Sequence, residues 1–245
     1  TDRSTSALRE RGNDARRELC ATSRAHYSLT ICRRFLRSPL FFRADTIACY
    51  LAFGHEVDTS MVFERAWQTR KQIFVPVLEG GGKMRFVRIT RNTRLERNQY
   101  GIYEPRSGDS ISPKKLDVVV TPVVTFDEDR NRIGMGGGYF DRCFSFLRNK
   151  KRWVHPKLAG FAFECQKVEK IRANPWDNGF IVFSPNVISA IFFVSVAAIC
   201  LQFLRLTTTS LRVCRAREKY TGHDVVFLRV EIVFFHFFQS ANHVT

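Results

Sequence analysis

The chain has 245 residues, 44% of them hydrophobic and 25% charged, which excludes a disordered or fibrous protein and suits one large domain with or without an appendage. Its formal charge of +16 favours anionic partners, namely nucleic acid, anionic lipid or a small polyanion. Seven cysteines without a C-x-x-C pair and six scattered histidines argue against a disulfide framework and a zinc site, leaving reduced thiols in a cytoplasmic setting.

The polar, arginine-rich opening does not read as a secretory leader, so none is expected. A basic helix is predicted over Ala7–His26, with Ser6 as N-cap and no proline inside. Thr46–Phe53 is an apolar run of strand length, and Glu56 stands in the polar turn after it. An amphipathic pattern over Thr59–Arg70 follows, with Met61, Val62, Ala66 and Trp67 on its inner face. Gln72–Val77 and Met84–Ile89 are predicted strands around a hairpin turn at Gly80–Lys83. That turn is no Walker loop, because Val77 and Met84 replace the required glycine and hydroxyl residue. Leu116–Val124, nearly all β-branched, reads as a buried parallel strand. A short helix over about Tyr139–Leu147 and strands at Leu158–Phe163 and Phe180–Phe183 complete the pattern. Strands alternating with helices predict an α/β sheet whose ligands sit beyond the strand carboxyl ends. Glu56 and the segment after Val124 both follow strands, so both can face that crevice.

The segment Arg132–Arg142 carries the chemistry. Four glycines fill five positions, Gly134 and Gly136–Gly138 with Met135 between them, and an arginine stands at each end. Bare glycine amides can approach an anion, and Arg132 and Arg142 can add charge-assisted hydrogen bonds to phosphate. Asp141 is a hard oxygen ligand of the kind Mg²⁺ takes beside a nucleotide. Tyr139 stands where a dinucleotide fingerprint needs glycine, so that motif is excluded. A tight turn without a ligand is the plain alternative.

Residues 187–245 differ in kind, with one glycine, no proline and eight phenylalanines. Residues 187–204 carry no charge over 18 positions, near the lower limit for a membrane span. A membrane anchor, a packed C-terminal helix, and an extension outside the working domain (such as an altered reading frame) compete here, the last being favoured. The domain division is therefore set at 1–186 and 187–245.

The segments Glu56–Thr59, Gly101–Pro105, Thr121-Pro122 through Phe126-Asp127, Arg132–Arg142 and Pro175-Trp176-Asp177 occur in an order and spacing that resemble the 5-formyltetrahydrofolate cyclo-ligase family. The resemblance covers roughly Ala7 to Asn186. It implies a three-layer α/β fold like that of sugar-phosphate isomerases and coenzyme A transferases, with mostly parallel strands. It also implies an ATP- and Mg²⁺-dependent conversion of 5-formyltetrahydrofolate, with or without a polyglutamate tail, to 5,10-methenyltetrahydrofolate. By that resemblance Arg9, Arg132, Ile133, Gly134, Met135, Gly136, Gly137, Gly138, Tyr139 and Phe140 meet ATP. Leu51, Glu56 and Met135–Tyr139 meet the folate, and Asp141 and Asp177 hold Mg²⁺. No covalent enzyme nucleophile is expected. Tyr100 and Tyr103 are candidate stacking residues. Two departures stand out: Thr5 replaces the usual Lys or Arg four residues before Arg9, and residues 178–186 only approximate the family's final strand. A catalytically weak folate-binding relative is one alternative. A basic nucleic-acid or membrane-surface protein is the other, although the chain lacks the interleaved aromatics or docking helix of nucleic-acid modules.

Overall fold

The computed structural model describes residues 3–149, 155–172, 181–184, 212–220 and 223–231. In chain order the elements are α1 (Arg3–Glu18), α2 (Ala21–Leu36), α3 (Pro39–Arg43), β1 (Thr46–Cys49), α4 (Ser60–Gln68), β2 (Gln72–Glu79), β3 (Lys83–Arg88), β4 (Leu95–Arg97), β5 (Tyr103–Pro105), β6 (Ser110–Ile111), β7 (Val118–Pro122), β8 (Thr125–Phe126), β9 (Arg132–Ile133), α5 (Tyr139–Cys143), β10 (Lys157–Phe161), β11 (Ile181–Phe183), β12 (Arg212–Tyr220) and β13 (His223–Glu231). The chain divides into two compact units, Thr1–Ser189 and Ala190–Thr245.

The first unit is built on a seven-stranded sheet of order β11-β10-β7-β1-β2-β3-β6. The pairings from β11 through β2 are parallel, and β3 pairs antiparallel with both β2 and β6. Strand alternation divides the side chains between two faces. Ile47, Cys49, Ile73, Val75, Val118, Val120, Ala159 and Phe161 join the core beneath α2, α3 and α4. Ala48, Phe74, Val119 and Leu158 join Phe144, beside α5, on the other face. On the first face Phe35 makes edge contacts with Phe41, Phe161 and Phe183 at 5.4–5.7 Å between centroids. Each such contact adds roughly 0.5–1.5 kcal/mol beyond its buried area.

The chain proceeds from β1 to β2 in one direction and from β7 to β10 and β11 in the other. The crevice beyond the carboxyl ends of β1 and β7 is therefore the topological switch point, where ligands of such sheets bind. The loop carrying Glu56 leaves β1, and the glycine segment follows β7 through the small β8–β9 hairpin.

Several predicted elements are corrected. The single helix over Ala7–His26 is two helices, and Ser6 lies inside α1 rather than capping it. Cys20 breaks the run: it is extended at φ −62°, ψ 155°, and its Sγ accepts from Ser23 N as the N-cap of α2. The strand from Thr46 stops at Cys49, because Tyr50 is tied into the next loop by its carbonyl, which accepts from Thr59 Oγ1, and its phenol, which donates to Val57 O. The Leu116 strand is confined to β7. The helix from Tyr139 ends at Cys143 and passes into a 3₁₀ turn over Ser145–Asn149. In α4, Phe63 is buried with Val62 and Ala66, while Met61 and Trp67 are half-buried. The glycine hairpin joins antiparallel β2 and β3 as expected, through a 3₁₀ turn at Gly80–Gly82.

In the second unit β12 and β13 pair antiparallel, so the reading of the tail as a packed helix fails over Arg212–Tyr220 and His223–Glu231. Alternation of Cys214 and Ala216 with Arg215 and Arg217, and the β-branched run Val225-Val226, favour strand there. Residues 187–204 lie outside the described residues. Among the described residues no helix is long and apolar enough to cross a membrane.

Candidate active site

Three segments meet at the switch point, and each has an identifiable local cause. The loop after β1 is clamped on all sides. Besides the bonds from Tyr50 to Val57 and Thr59, Asp58 N donates to Ser28 Oγ (3.1 Å), Cys32 Sγ donates to Asp58 O (3.2 Å), and Asp58 Oδ1 accepts from Ser60 N (2.9 Å). Val57 is buried. Within Glu56–Thr59, three residues therefore hold the loop and one points into the site.

Glu56 is that residue. Its side chain retains 11% exposure, its Oε2 accepts from Phe53 N at 3.0 Å, and its Oε1 lies 3.9 Å from Arg16 Nη1. Burial pushes the Glu56 pKa above its ordinary 4.5, with only partial relief from the Phe53 amide and Arg16. Burial likewise lowers Arg16, against the pull of Glu56. A pair at 3.9 Å does not repay the desolvation of either ion. Glu56 is thus a buried acceptor with unspent capacity, suited to paired N–H donors.

The glycine segment begins at β9. Ile133 faces a small core of Leu8, Val168 and Ile171, and its carbonyl accepts from Val124 N. Arg132 Nη2 donates to Asp141 Oδ1 at 2.8 Å, joining the two ends of the loop; the arginine side chain is 6% exposed and the aspartate 39%. Arg9 Nε donates to Gly134 O (2.8 Å) and Arg142 Nη2 to Gly137 O (2.6 Å). Arg142 Nε also reaches Gly82 O (3.2 Å) on the β2–β3 hairpin, and its guanidinium lies 5.3 Å from the Tyr139 ring centroid. Arg142, expected to offer itself to phosphate, instead straps the loop to the hairpin. Among the described residues, none of the N–H groups of Gly134 through Gly138 donates to a backbone or side-chain acceptor. Gly136 has φ +100°, which favours glycine, and a Cβ there would sit in tight contact, 3.3 Å from the Arg9 guanidinium carbon.

The third segment is α1. A helix presents residues i, i+4 and i+7 on one face, and here these are Arg9, Asn13 and Arg16. Arg16 Nη2 lies 3.5 Å from Met135 Sδ, so this buried arginine touches both the glycine loop and Glu56. The helix lies against β8, β9 and the turn at Glu164–Gln166, with Gly12 at the contact.

Aromatic groups rim the site. Phe53, Tyr100, Tyr103 and Met135 are exposed, and the neighbouring Tyr100 phenol raises the Tyr139 pKa. The turn at Gly101 packs on the Phe53 ring. Asn98 shapes that turn: its Oδ1 accepts from Tyr100 N and Ile102 N, and its Nδ2 donates to Glu104.

The chain thus brings together Arg9, Glu56, Arg132, Gly134, Met135, Gly136, Gly137, Gly138, Tyr139 and Asp141. Leu51 is half-buried against the main core, and Phe140 packs inward, 6.3 Å from Phe144 between ring centroids. Asp177 lies outside the described residues. Sequence reasoning missed Arg16, Asn13 and Phe53; the i+4, i+7 spacing from Arg9 was the available signal for the first two.

A family model described as the 5-formyltetrahydrofolate cyclo-ligase family matches residues 1–182. The chain belongs to this cyclo-ligase family. A 5-formyltetrahydrofolate cyclo-ligase of Escherichia coli K12 is 34% identical over 168 residues, covering 66% of this chain and 89% of the relative. One from Haemophilus influenzae is 36% identical over 139 residues, covering 55% and 72%. The solved 5,10-methenyltetrahydrofolate synthetase of Aquifex aeolicus superposes with a TM-score of 0.64 at 25% identity, covering 75% of this chain and 90% of that one. That superposition places this chain's mostly parallel α/β sheet in the fold of the solved synthetase.

Proposed function

We propose that this site carries out the family's cyclo-ligase reaction by phosphoryl activation of a formyl oxygen. The activity itself, formation of 5,10-methenyltetrahydrofolate from 5-formyltetrahydrofolate, rests on family membership and relatives. The observation that carries the mechanistic reading is the run of N–H groups from Gly134 to Gly138 without acceptors among the described residues, set among Arg9, Arg132 and Arg142. Successive amides of this kind form a nest for a polyphosphate, with bare glycines letting it come close.

The formyl oxygen takes the γ-phosphoryl group of ATP, and ADP departs. N10 then attacks the formyl carbon and loses its proton, and phosphate leaves with the former formyl oxygen. The protein's part is positioning and charge neutralisation, and no enzyme nucleophile is required. Glu56 accepts N–H donors of the reduced pterin, and Leu51, Phe53, Tyr100 and Tyr139 surround its apolar faces. When bound, Mg²⁺ supplies charge neutralisation at the phosphates. Asp141, in the first turn of α5 and 39% exposed, fits that ion as a single carboxylate beside phosphate oxygens, and Asp177 is the second ligand by family resemblance. The free thiols Cys20, Cys32, Cys49, Cys143 and Cys165 suit a reducing cytoplasm.

Methenyl absorbance on mixing protein, 5-formyltetrahydrofolate, ATP and Mg²⁺ tests the reading; calorimetry showing no uptake of Mg-ATP would overturn it. Glu56→Gln is expected to raise KM for the folate about tenfold to a hundredfold, because a charged acceptor becomes neutral. In the unmodified protein kcat/KM should fall on the acid side with an apparent pKa above an ordinary glutamate's, and the Gln variant should lose that limb. The sign for stability is opposite. A carboxyl whose pKa is raised on folding favours the fold below its unfolded pKa, and that share is lost as pH rises through the folded value. Truncation after Asn186 is expected to leave a folded, cooperative α/β domain, read by its thermal transition. An insoluble truncation beside a soluble full chain would make the tail structural.

A further inference from the structure

Asn13 presents a buried acceptor with nothing to accept. Its Oδ1 is shielded from solvent, and no described residue donates to it. Leaving such a group unmade costs about as much as a lost hydrogen bond, so its presence calls for a reason. Position supplies one. Asn13 is one turn from Arg9, which holds the Gly134 carbonyl, and one turn from Arg16, which reaches Met135 and Glu56. It therefore shares the face of α1 that carries Arg9 to the glycine loop and Arg16 to Glu56.

The chemistry of an amide oxygen narrows the partner. Phosphate and carboxylate oxygens accept hydrogen bonds and cannot satisfy it. Flanking guanidiniums draw anions to either side, but the oxygen between them needs an N–H or O–H. A reduced folate carries several N–H groups on its pterin and at N10. The adenine amine and ribose hydroxyls of ATP lie at the end of the nucleotide remote from the phosphates that Arg9 and the loop would hold.

We infer that Asn13 Oδ1 is a substrate-directed acceptor that takes an N–H of the reduced folate and so helps to position it for ring closure. The inference rests on the cyclo-ligase reading of this site. It makes Asn13 a specificity-determining residue: a compound with the same shape but no N–H at that point would leave the oxygen buried and unpaired.

The test uses the full chain and Asn13→Leu, which keeps similar bulk and removes the acceptor. Calorimetry with 5-formyltetrahydrofolate alone should show affinity about tenfold weaker, while Mg-ATP affinity is unchanged. KM for the folate should rise more than kcat falls. The melting temperature of the free protein should hold or rise, because an unpaired buried oxygen has been removed. Asn13→Asp, which keeps an acceptor, should retain most of the folate affinity. Equal folate binding by wild type and the Leu variant overturns the inference and leaves the cyclo-ligase reading intact. A loss confined to Mg-ATP, or a melting temperature several degrees lower, overturns it as well by assigning Asn13 to the nucleotide or to the scaffold. A wild type that binds no folate would sink both readings.

Discussion

Asp141→Asn is expected to slow turnover about a hundredfold, with the deficit widening as Mg²⁺ becomes limiting. Two losses combine in this substitution. An amide oxygen is a poorer ligand for a hard cation than a carboxylate. The same change also removes the negative partner of Arg132, whose side chain is 6% exposed and donates to Asp141 at 2.8 Å. Because Asp141 itself is 39% exposed, solvent screens much of the pair, and asparagine can still accept the bond. The stability cost should therefore be small, about 1 kcal/mol, and the main effect kinetic. Titrating Mg²⁺ separates the two contributions, since excess metal repairs weak coordination and leaves a displaced Arg132 unrepaired. Folate affinity measured without nucleotide should not change. Full activity at limiting Mg²⁺ would remove Asp141 from the metal site.

Gly12→Ala is expected to have the largest structural effect. In an exposed helix interior, alanine for glycine stabilises by about 1 kcal/mol. Here the sign reverses. A Cβ on Gly12 would meet the Val124 carbonyl oxygen and Thr125 Oγ1 inside van der Waals contact, and the Thr125 hydroxyl already donates to Leu8 O at 2.9 Å. Neither neighbour is the far end of a flexible chain, so α1 must move outward. Overpacking of this kind costs roughly 1–3 kcal/mol, which lowers the melting temperature of a domain this size by about 5 °C. Activity should fall further than stability, because α1 carries Arg9, Asn13 and Arg16 into the site as a rigid unit. Gly80→Ala is the matched control: no atom lies within 4 Å of the place its methyl group would take and its φ is not positive, so it should be neutral. A melting temperature for Gly12→Ala at or above wild type would mean that α1 does not rest on β8 as described.

How much could be read without coordinates depended on the range of the interactions. Strand-forming runs such as Val118–Val120 declare themselves because burial on both faces demands apolar residues at every position. The hairpin at Gly80–Gly82 declares itself through its glycines. Helix boundaries were less legible: Cys20 stops α1 from continuing through a thiol cap and a change of direction, and no proline or glycine marks the place. Nor does spacing distinguish the scaffold from the site within one motif. Asp127 looks as functional as Asp141 in the sequence, yet it is 2% exposed and spends its oxygens on Asn131 N, Asn131 Nδ2 and Ile171 N.

The sequence by itself determined the alternating α/β plan, the glycine segment from 132 to 142, and the carboxylates and arginine that the family pattern singles out. Those features are local: backbone conformation and residue chemistry over a few positions are enough to specify them. Tertiary structure alone decided that Arg9 and Arg142 hold loop carbonyls while Arg132 pairs with Asp141, why Glu56 is held short of full satisfaction, and that Arg16 reaches both the glycine loop and Glu56. Each of these depends on groups more than a hundred residues apart, or on helix, loop and sheet converging at one crevice. Burial and pairing arise only from that convergence, so the spacing of Arg9, Asn13 and Arg16 could place them on one helix face but not tell what that face meets.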